Sequence, residues 1–381
     1  MRILIATDKF KDSLTAEEVC EGLRRGILRT LPSAEINILP LADGGEGTLE
    51  TLRSVWGGEY IECEVYDPLF RKIIATYLWI KKEQTAIIEM ARASGLELLK
   101  QNERNCLITS TYGTGELIKH ALDKGAKEII LTVGGSATND AGIGMASALG
   151  YEFIDKNGMI VEPIGKNLGE IHQINTQKVH PELLQTKFIV ATDVSNPFYG
   201  KQGAAFVFAP QKGADVKALE ILDLGLQNIN QIVKQDFSID LQNFAGSGAG
   251  GGMGGGAIAF LKAEIKSASE WILEVNQIEK KLIKVDLLIT GEGKIDSQTW
   301  QGKLISQLVS RAETTQTPVI LVCGTLLDVE NIILQKGILY ACSVLNEPMS
   351  LVKALENTLE LVENQGVLLG KLLGGITLKK P

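Results

Sequence analysis

The feature that most restricts what this 381-residue chain can fold into is a series of short, unbroken apolar runs, each emptying into a turn of glycine, hydroxyl and acidic residues. "RILIAT" (2–7), "EINILPLAD" (35–43), "TAIIEMA", "EIILTVGG", "KFIVATDV", "VDLLITGEG" (285–293), "TPVILVCG" (317–324) and "YACSVL" (340–345) all have this form. A strand that is apolar on both sides needs both faces covered, and the runs are separated by helix-length segments. That pattern predicts an α/β fold with a mostly parallel sheet. The first crossover is readable in detail: Thr15-Ala-Glu-Glu18 is a capping box, followed by Val19, Leu23, Ile27 and Leu31 at helical spacing and closed by Pro32.

The length exceeds what one core usually supports, so two domains are expected. The layout predicted is a Rossmann-like domain built from both chain ends, 1–62 and 281–381, with a second α/β domain inserted over 63–280. Hydrophobic residues make up 45% and charged residues 22%, which is ordinary for a globular protein and excludes disorder. A net charge of −8 argues against nucleic acid or an anionic membrane as partner. Five cysteines without a CxxC pair, no signal peptide before Asp8, and no apolar run long enough to span a bilayer lead to the expectation of a soluble, cytoplasmic protein.

In open α/β sheets ligands gather beyond the carboxyl ends of the strands. Residues there include Asp8, Asp43, Glu89, Asp140, Asp193, Glu292 and Asp296. "ADGGEG" (42–47), "GGSATND" (134–140) and "TGEGKID" (290–296) add glycines, which let backbone N–H groups converge on an anion. Acids beside an anion site imply a divalent cation between them, hence Mg²⁺ and a phosphoryl group. Taken singly, each such turn is usually just a turn with a helix cap; three in one chain, each after a strand, favour the functional reading.

"GSGAGGGMGGG" (246–256) satisfies GxGxxG at 250, 252 and 255, but the preceding "DLQNFA" is a poor strand, which weakens a dinucleotide fingerprint. By composition alone the run is a flexible linker; its place before a helix argues for a rigid, close-approach backbone. No Walker A sequence occurs, and the three histidines lie outside the glycine and acid motifs.

The motifs "DKFKDSLTAEEV", "ADGGEGT", "IEMARASGL", "STYGTGELI", "GGSATNDAGIGM", "ATDVSNPF", "APQKGA", "GSGAGGGMGG" and "ITGEGKIDSQTWQGK" resemble, in order and over almost the whole chain, those of the bacterial type I glycerate kinases. The resemblance implies two α/β domains facing a cleft. It also implies transfer of the γ-phosphoryl of ATP to a hydroxyl of D-glycerate with Mg²⁺, with 2-phosphoglycerate favoured over 3-phosphoglycerate. The chain departs from the family at Lys9, which replaces a small hydroxyl residue, at Ala141 in Asn139-Asp140-Ala141-Gly142 where the family has NDGG, and at Phe198 in Asn196-Pro197-Phe198 where it has NPL. Lys11 keeps the family lysine.

On this reading Asp193 is the base or organises Mg²⁺, and Asp43 and Asp296 share the remaining role, Asp296 as a second metal ligand. Lys11 is a catalytic cation. Ser136, Thr138, Asn139 and Asp8 bind substrate, and Gly250, Gly251, Gly252, Gly291, Glu292 and Gly293 bind the nucleotide. A monomer or homodimer without other partners is expected. The alternatives are a nicotinamide-dependent oxidoreductase of a small hydroxy acid and a non-catalytic two-domain binding protein.

Overall fold

The computed structural model describes residues 1–375 apart from residues 43, 46 and 301. Two compact units result, residues 1–43 with 269–381, and residues 44–268. The insertion therefore begins and ends earlier than the expected 63–280. The helix Thr48–Trp56 belongs to the insert because its Leu49 N–H donates to Glu89 of that unit at 2.9 Å. At the other end, Leu282, closing the helix Ile278–Leu282, accepts from the Thr317 hydroxyl of the terminal unit at 3.1 Å.

The terminal unit carries an all-parallel sheet of β1 (Arg2–Ile5), β2 (Glu35–Ile38), β11 (Leu287–Thr290), β13 (Val319–Cys323) and β15 (Ile338–Ser343), ordered β15-β13-β11-β1-β2. β13 is buried at every position, as its uninterrupted apolar sequence requires. A two-stranded accessory, β12 (Lys294–Ile295) with β14 (Thr325–Leu326), extends it. The capping box forms as read: the Glu18 N–H donates to Thr15 Oγ1 at 3.2 Å, and Glu18 Oε2 accepts from the Thr15 N–H at 2.8 Å. From that start the helix Ala16–Thr30 buries Val19, Leu23 and Ile27 on the sheet core.

The chain leaves β1 for β2 on one side and later returns through β11 to the other. This 2-1-3-4-5 order puts the reversal between β1 and β11, where a doubly wound sheet opens a crevice for ligands.

The inserted unit holds β3 (Glu59–Tyr66), β4 (Lys72–Ile80), β5 (Thr85–Glu89), β6 (Glu128–Thr132), β9 (Lys187–Ala191) and β10 (Glu264–Lys266), ordered β10-β9-β6-β5-β4-β3. β5, β6, β9 and β10 are parallel, and β3 and β4 join antiparallel at the edge. A separate hairpin pairs β7 (Glu152–Asp155) with β8 (Ile171–Asn175). The core runs through Tyr77, Ile88, Leu117, Leu131, Val190 and Phe260. Four parallel strands thus deliver Glu89, Gly134, Asp193 and Ser267 to one edge of the unit.

Candidate active site

The inserted unit concentrates most of the motifs on one stretch, the turn after β6 from Gly134 to Gly144. From the "IEMARASGL" segment, Ser94 O accepts from the Ala137 N–H at 2.9 Å, and the Leu96 N–H donates to Gly135 O at 2.9 Å. From "STYGTGELI", the Thr111 N–H and hydroxyl both donate to Asp140 Oδ2 at 2.8 Å. Gly45, of "ADGGEG", lies against it as well, since a Cβ on Gly134 would stand 3.1 Å from Gly45 Cα. Asp140 is fully enclosed, and burial pushes its carboxyl up despite further donation from the Gly142 and Gly144 N–H groups. Its hydrogen bonds all go to the chain's own turns, so its place is structural.

Ser136, Thr138 and Asn139, expected to bind substrate, are all buried in this turn. Thr138 Oγ1 and both polar atoms of the Asn139 side chain have no hydrogen-bond partner. Buried polar groups are normally satisfied, so three such atoms in two adjacent residues make this turn a candidate contact for a ligand.

Lys212, from "APQKGA", was not singled out by sequence. It is buried, and its ammonium donates to Ser136 Oγ and to the Thr138 carbonyl, each at 2.7 Å. Burial pulls its pKa down to about 8, against the upward pull of Cys106 and Asp140. The motif containing it was visible, but a lysine's burial is not a property of its neighbours in sequence.

Asp193, two residues beyond β9, is half-buried, and the Ser267 hydroxyl donates to its Oδ1 at 2.7 Å. Glu89, at the end of β5, is buried and ties Leu49 N–H and Arg92 Nε at 2.9 and 2.8 Å. Burial raises the Glu89 carboxyl, and Arg92 opposes that shift. Glu89 thereby anchors the helix that follows the "ADGGEG" turn.

The glycine run behaves differently from the expected nucleotide loop. Gly250, Gly251 and Gly252 adopt φ of 63°, 74° and 87° at the start of the helix Ala249–Leu261. A Cβ on Gly251 would stand 2.0 Å from Thr138 O, and one on Gly252 3.0 Å from Ala141 Cα. The space that these two glycines leave is filled by the chain's own turn, so they let the 138–141 backbone approach closely. Ala141 itself has φ of 54°, a left-handed conformation that glycine adopts more readily. Ala141→Gly is accordingly expected to hold or raise stability, by up to about 1 kcal/mol, since a β-carbon is penalised in that region. A clear fall in the urea unfolding midpoint would contradict this.

In the terminal unit the β1/β11 crevice gathers the "DKFKDSL" and "TGEGKID" motifs. The Asp8 N–H donates to Gly291 O at 2.9 Å, and a Cβ on Gly293 would stand 3.2 Å from Lys11 N. Asp8 is buried and Lys11 exposed. Buried Thr290 Oγ1, at the end of β11, has no partner. Gly291 makes room for β13, because a Cβ on it would fall 1.6 Å from Val322 O. The Glu292 carboxylate accepts from the Thr299 hydroxyl at 2.7 Å. Asp296 is engaged differently: Lys294 pairs with it at 2.9 Å and the Gln298 N–H donates to it, holding its carboxyl below the usual range. Asp43 lies outside the described residues.

All five cysteines are free and buried, and among the described residues no helix is long and apolar enough to cross a membrane. His120 contacts Tyr77, and His180 pairs with Asp123, both away from these turns.

A family model described as the glycerate kinase family matches residues 3–373. A Bacillus cereus protein named glycerate kinase is 42% identical over 363 residues, covering 95% of each chain. Glycerate 2-kinase of Escherichia coli is 40% identical over 345 residues, covering 91% of each. The crystal structure of a candidate glycerate kinase 2 from Salmonella typhimurium LT2 superposes with a TM-score of 0.86 at 38% identity, covering 98% of both chains. A profile match, full-length relatives and a shared fold leave one conclusion: the chain belongs to the glycerate kinase family.

Proposed function

We propose that this chain phosphorylates D-glycerate, breaking the Pγ–O bond of ATP and joining the γ-phosphoryl to the C2 hydroxyl oxygen, giving 2-phosphoglycerate, ADP and a proton. The 2-position follows the Escherichia coli relative, named glycerate 2-kinase. The observation that carries the reading is the Ser136–Asn139 turn, a buried strand-end cradle with unpartnered hydroxyl and amide groups and a lysine, in a chain of this family. An oxidoreductase reading finds no support, because Gly251 and Gly252 pack on protein and 241–243 forms a 3₁₀ turn instead of a strand.

Phosphoryl transfer is mostly positioning and charge neutralisation, with a base for the attacking hydroxyl. Asp193 acts as the base in this reading, supported by its position after a parallel strand and by the Ser267 hydroxyl that donates to its Oδ1. Ser136, Thr138 and Asn139 orient the acid. In the terminal unit, the Gly291–Gly293 turn and Lys11 suit the nucleotide's phosphates, the lysine as a point charge.

Mg²⁺ takes hard oxygen ligands and needs only one or two carboxylates beside a nucleotide's phosphates. Asp193 fits that role, whereas Asp296 would have to release Lys294. Bound there, the ion would neutralise phosphate charge.

Protein supplied with MgATP is expected to release ADP only when D-glycerate is added, with 2-phosphoglycerate as product. Absence of glycerate-dependent ADP would overturn the reading, and 3-phosphoglycerate as product would correct its regiochemistry.

A further inference from the structure

Lys212 poses an electrostatic problem that the fold does not solve. Its side chain is buried, yet among the described residues no carboxylate forms an ion pair with it. An ammonium has three N–H donors, and two are taken by the neutral Ser136 hydroxyl and Thr138 carbonyl. Isolating a cation from water without a counter-charge is costly. Asp140, whose charge is felt at Lys212, spends its oxygens on Thr111, Gly142 and Gly144. Asp140 supplies charge but no contact, so the third N–H of the ammonium is left for an anion from outside the chain.

Its position says which anion. The lysine clamps the turn whose next residues leave Thr138 Oγ1 and the Asn139 amide buried without partners. One cation flanked by neutral hydroxyl and amide groups balances a single negative charge spread over two oxygens. A nucleotide's phosphates carry several charges and bring a metal ion with them, which one enclosed lysine does not match.

Resting on the glycerate kinase reading above, we propose that the Lys212 ammonium, held by Ser136 and the Thr138 carbonyl, binds the carboxylate of the acceptor acid. Lys212 thereby sets the enzyme's preference for a hydroxy acid over an uncharged polyol. Ser136 acts through it, as the group that aims the ammonium.

The test is a steady-state comparison of wild type with Lys212→Met and Lys212→Gln, after circular dichroism and thermal unfolding have shown which variants fold. The expected result is a rise in KM for D-glycerate of roughly 10- to 100-fold, the usual weight of a charge-assisted hydrogen bond, with KM for MgATP unmoved. A rise in KM for MgATP with glycerate unaffected overturns the proposal and assigns the lysine to the phosphoryl group. No change in either KM overturns it as well.

If neither variant folds, the wild type decides. Cys106 and Asp140 are the titratable groups whose charge reaches Lys212. KM for D-glycerate should climb as pH passes about 8, where the ammonium loses its proton, while KM for MgATP stays level. A glycerate KM that is flat from pH 7 to about 10 overturns the proposal. Wild type that turns over D-glycerate while the variants or the pH profile fail the test leaves the kinase reading intact and removes only the role of Lys212. Wild type without glycerate-dependent ADP removes both.

Discussion

Asp193→Asn is expected to lower turnover by roughly 10²- to 10⁴-fold, the contribution of a positioned general base. The asparagine keeps the size of the side chain and one oxygen for the Ser267 hydroxyl, which now donates to Oδ1 at 2.7 Å. Asp193 is also only half-buried, so the substitution leaves no enclosed cavity. Thermal unfolding should therefore stay close to wild type while kcat falls, which separates a chemical defect from a folding one. If Asp193 also holds Mg²⁺, the variant will need more of the ion for half-maximal rate. Unchanged turnover would remove Asp193 from the mechanism. A loss of stability equal to the loss of rate would make it structural.

The second large effect is expected at Gly251. A valine there would carry its Cβ 2.0 Å from Thr138 O and 2.8 Å from Asn139 Cα, both backbone atoms that cannot swing aside, at φ of +74°. Left-handed backbone costs a branched residue about 1–2 kcal/mol, and overpacking adds typically about 1–3 kcal/mol. Gly158 has a similar φ of +82°, but a Cβ there would meet nothing within 4 Å, so Gly158→Val carries the backbone penalty alone. The difference in unfolding midpoint between the two variants measures the clash. Gly251→Val protein that folds should also show a raised KM for D-glycerate, because the clash pushes on the Thr138–Asn139 turn. Equal stability of the two variants would show that Gly251 does not support that turn.

What could be read from the chain, and what could not, follows from the range of the forces involved. The strands were legible because a strand buried on both faces must be apolar throughout, a local requirement that β5 and β13 meet at every position. The Thr15–Glu18 capping box was legible for the same reason, as its partners lie three residues apart. Strand-end turns followed from the strands, and with them the candidates Asp8, Ser136, Thr138, Asn139 and Asp193. The composition of the glycine run pointed to a flexible linker, whereas its place before a helix pointed to the close backbone approach that Gly251 makes to Thr138. Lys212 gave no local sign at all: its acceptor Ser136 is 76 residues away.

Sequence alone determined the alternation of strand and helix, the placing of polar turns at strand ends, and a motif order specific enough to indicate the family. Each of these is written in neighbouring residues or in their succession. Only the tertiary structure decided the 2-1-3-4-5 order that puts the Asp8 and Gly291 turns side by side, the packing of Gly251 beneath Thr138, and the enclosure of Lys212 against Ser136 and the Thr138 carbonyl. Those depend on which distant segments meet, and burial and electrostatic pairing are properties of that meeting, absent from any one stretch of chain.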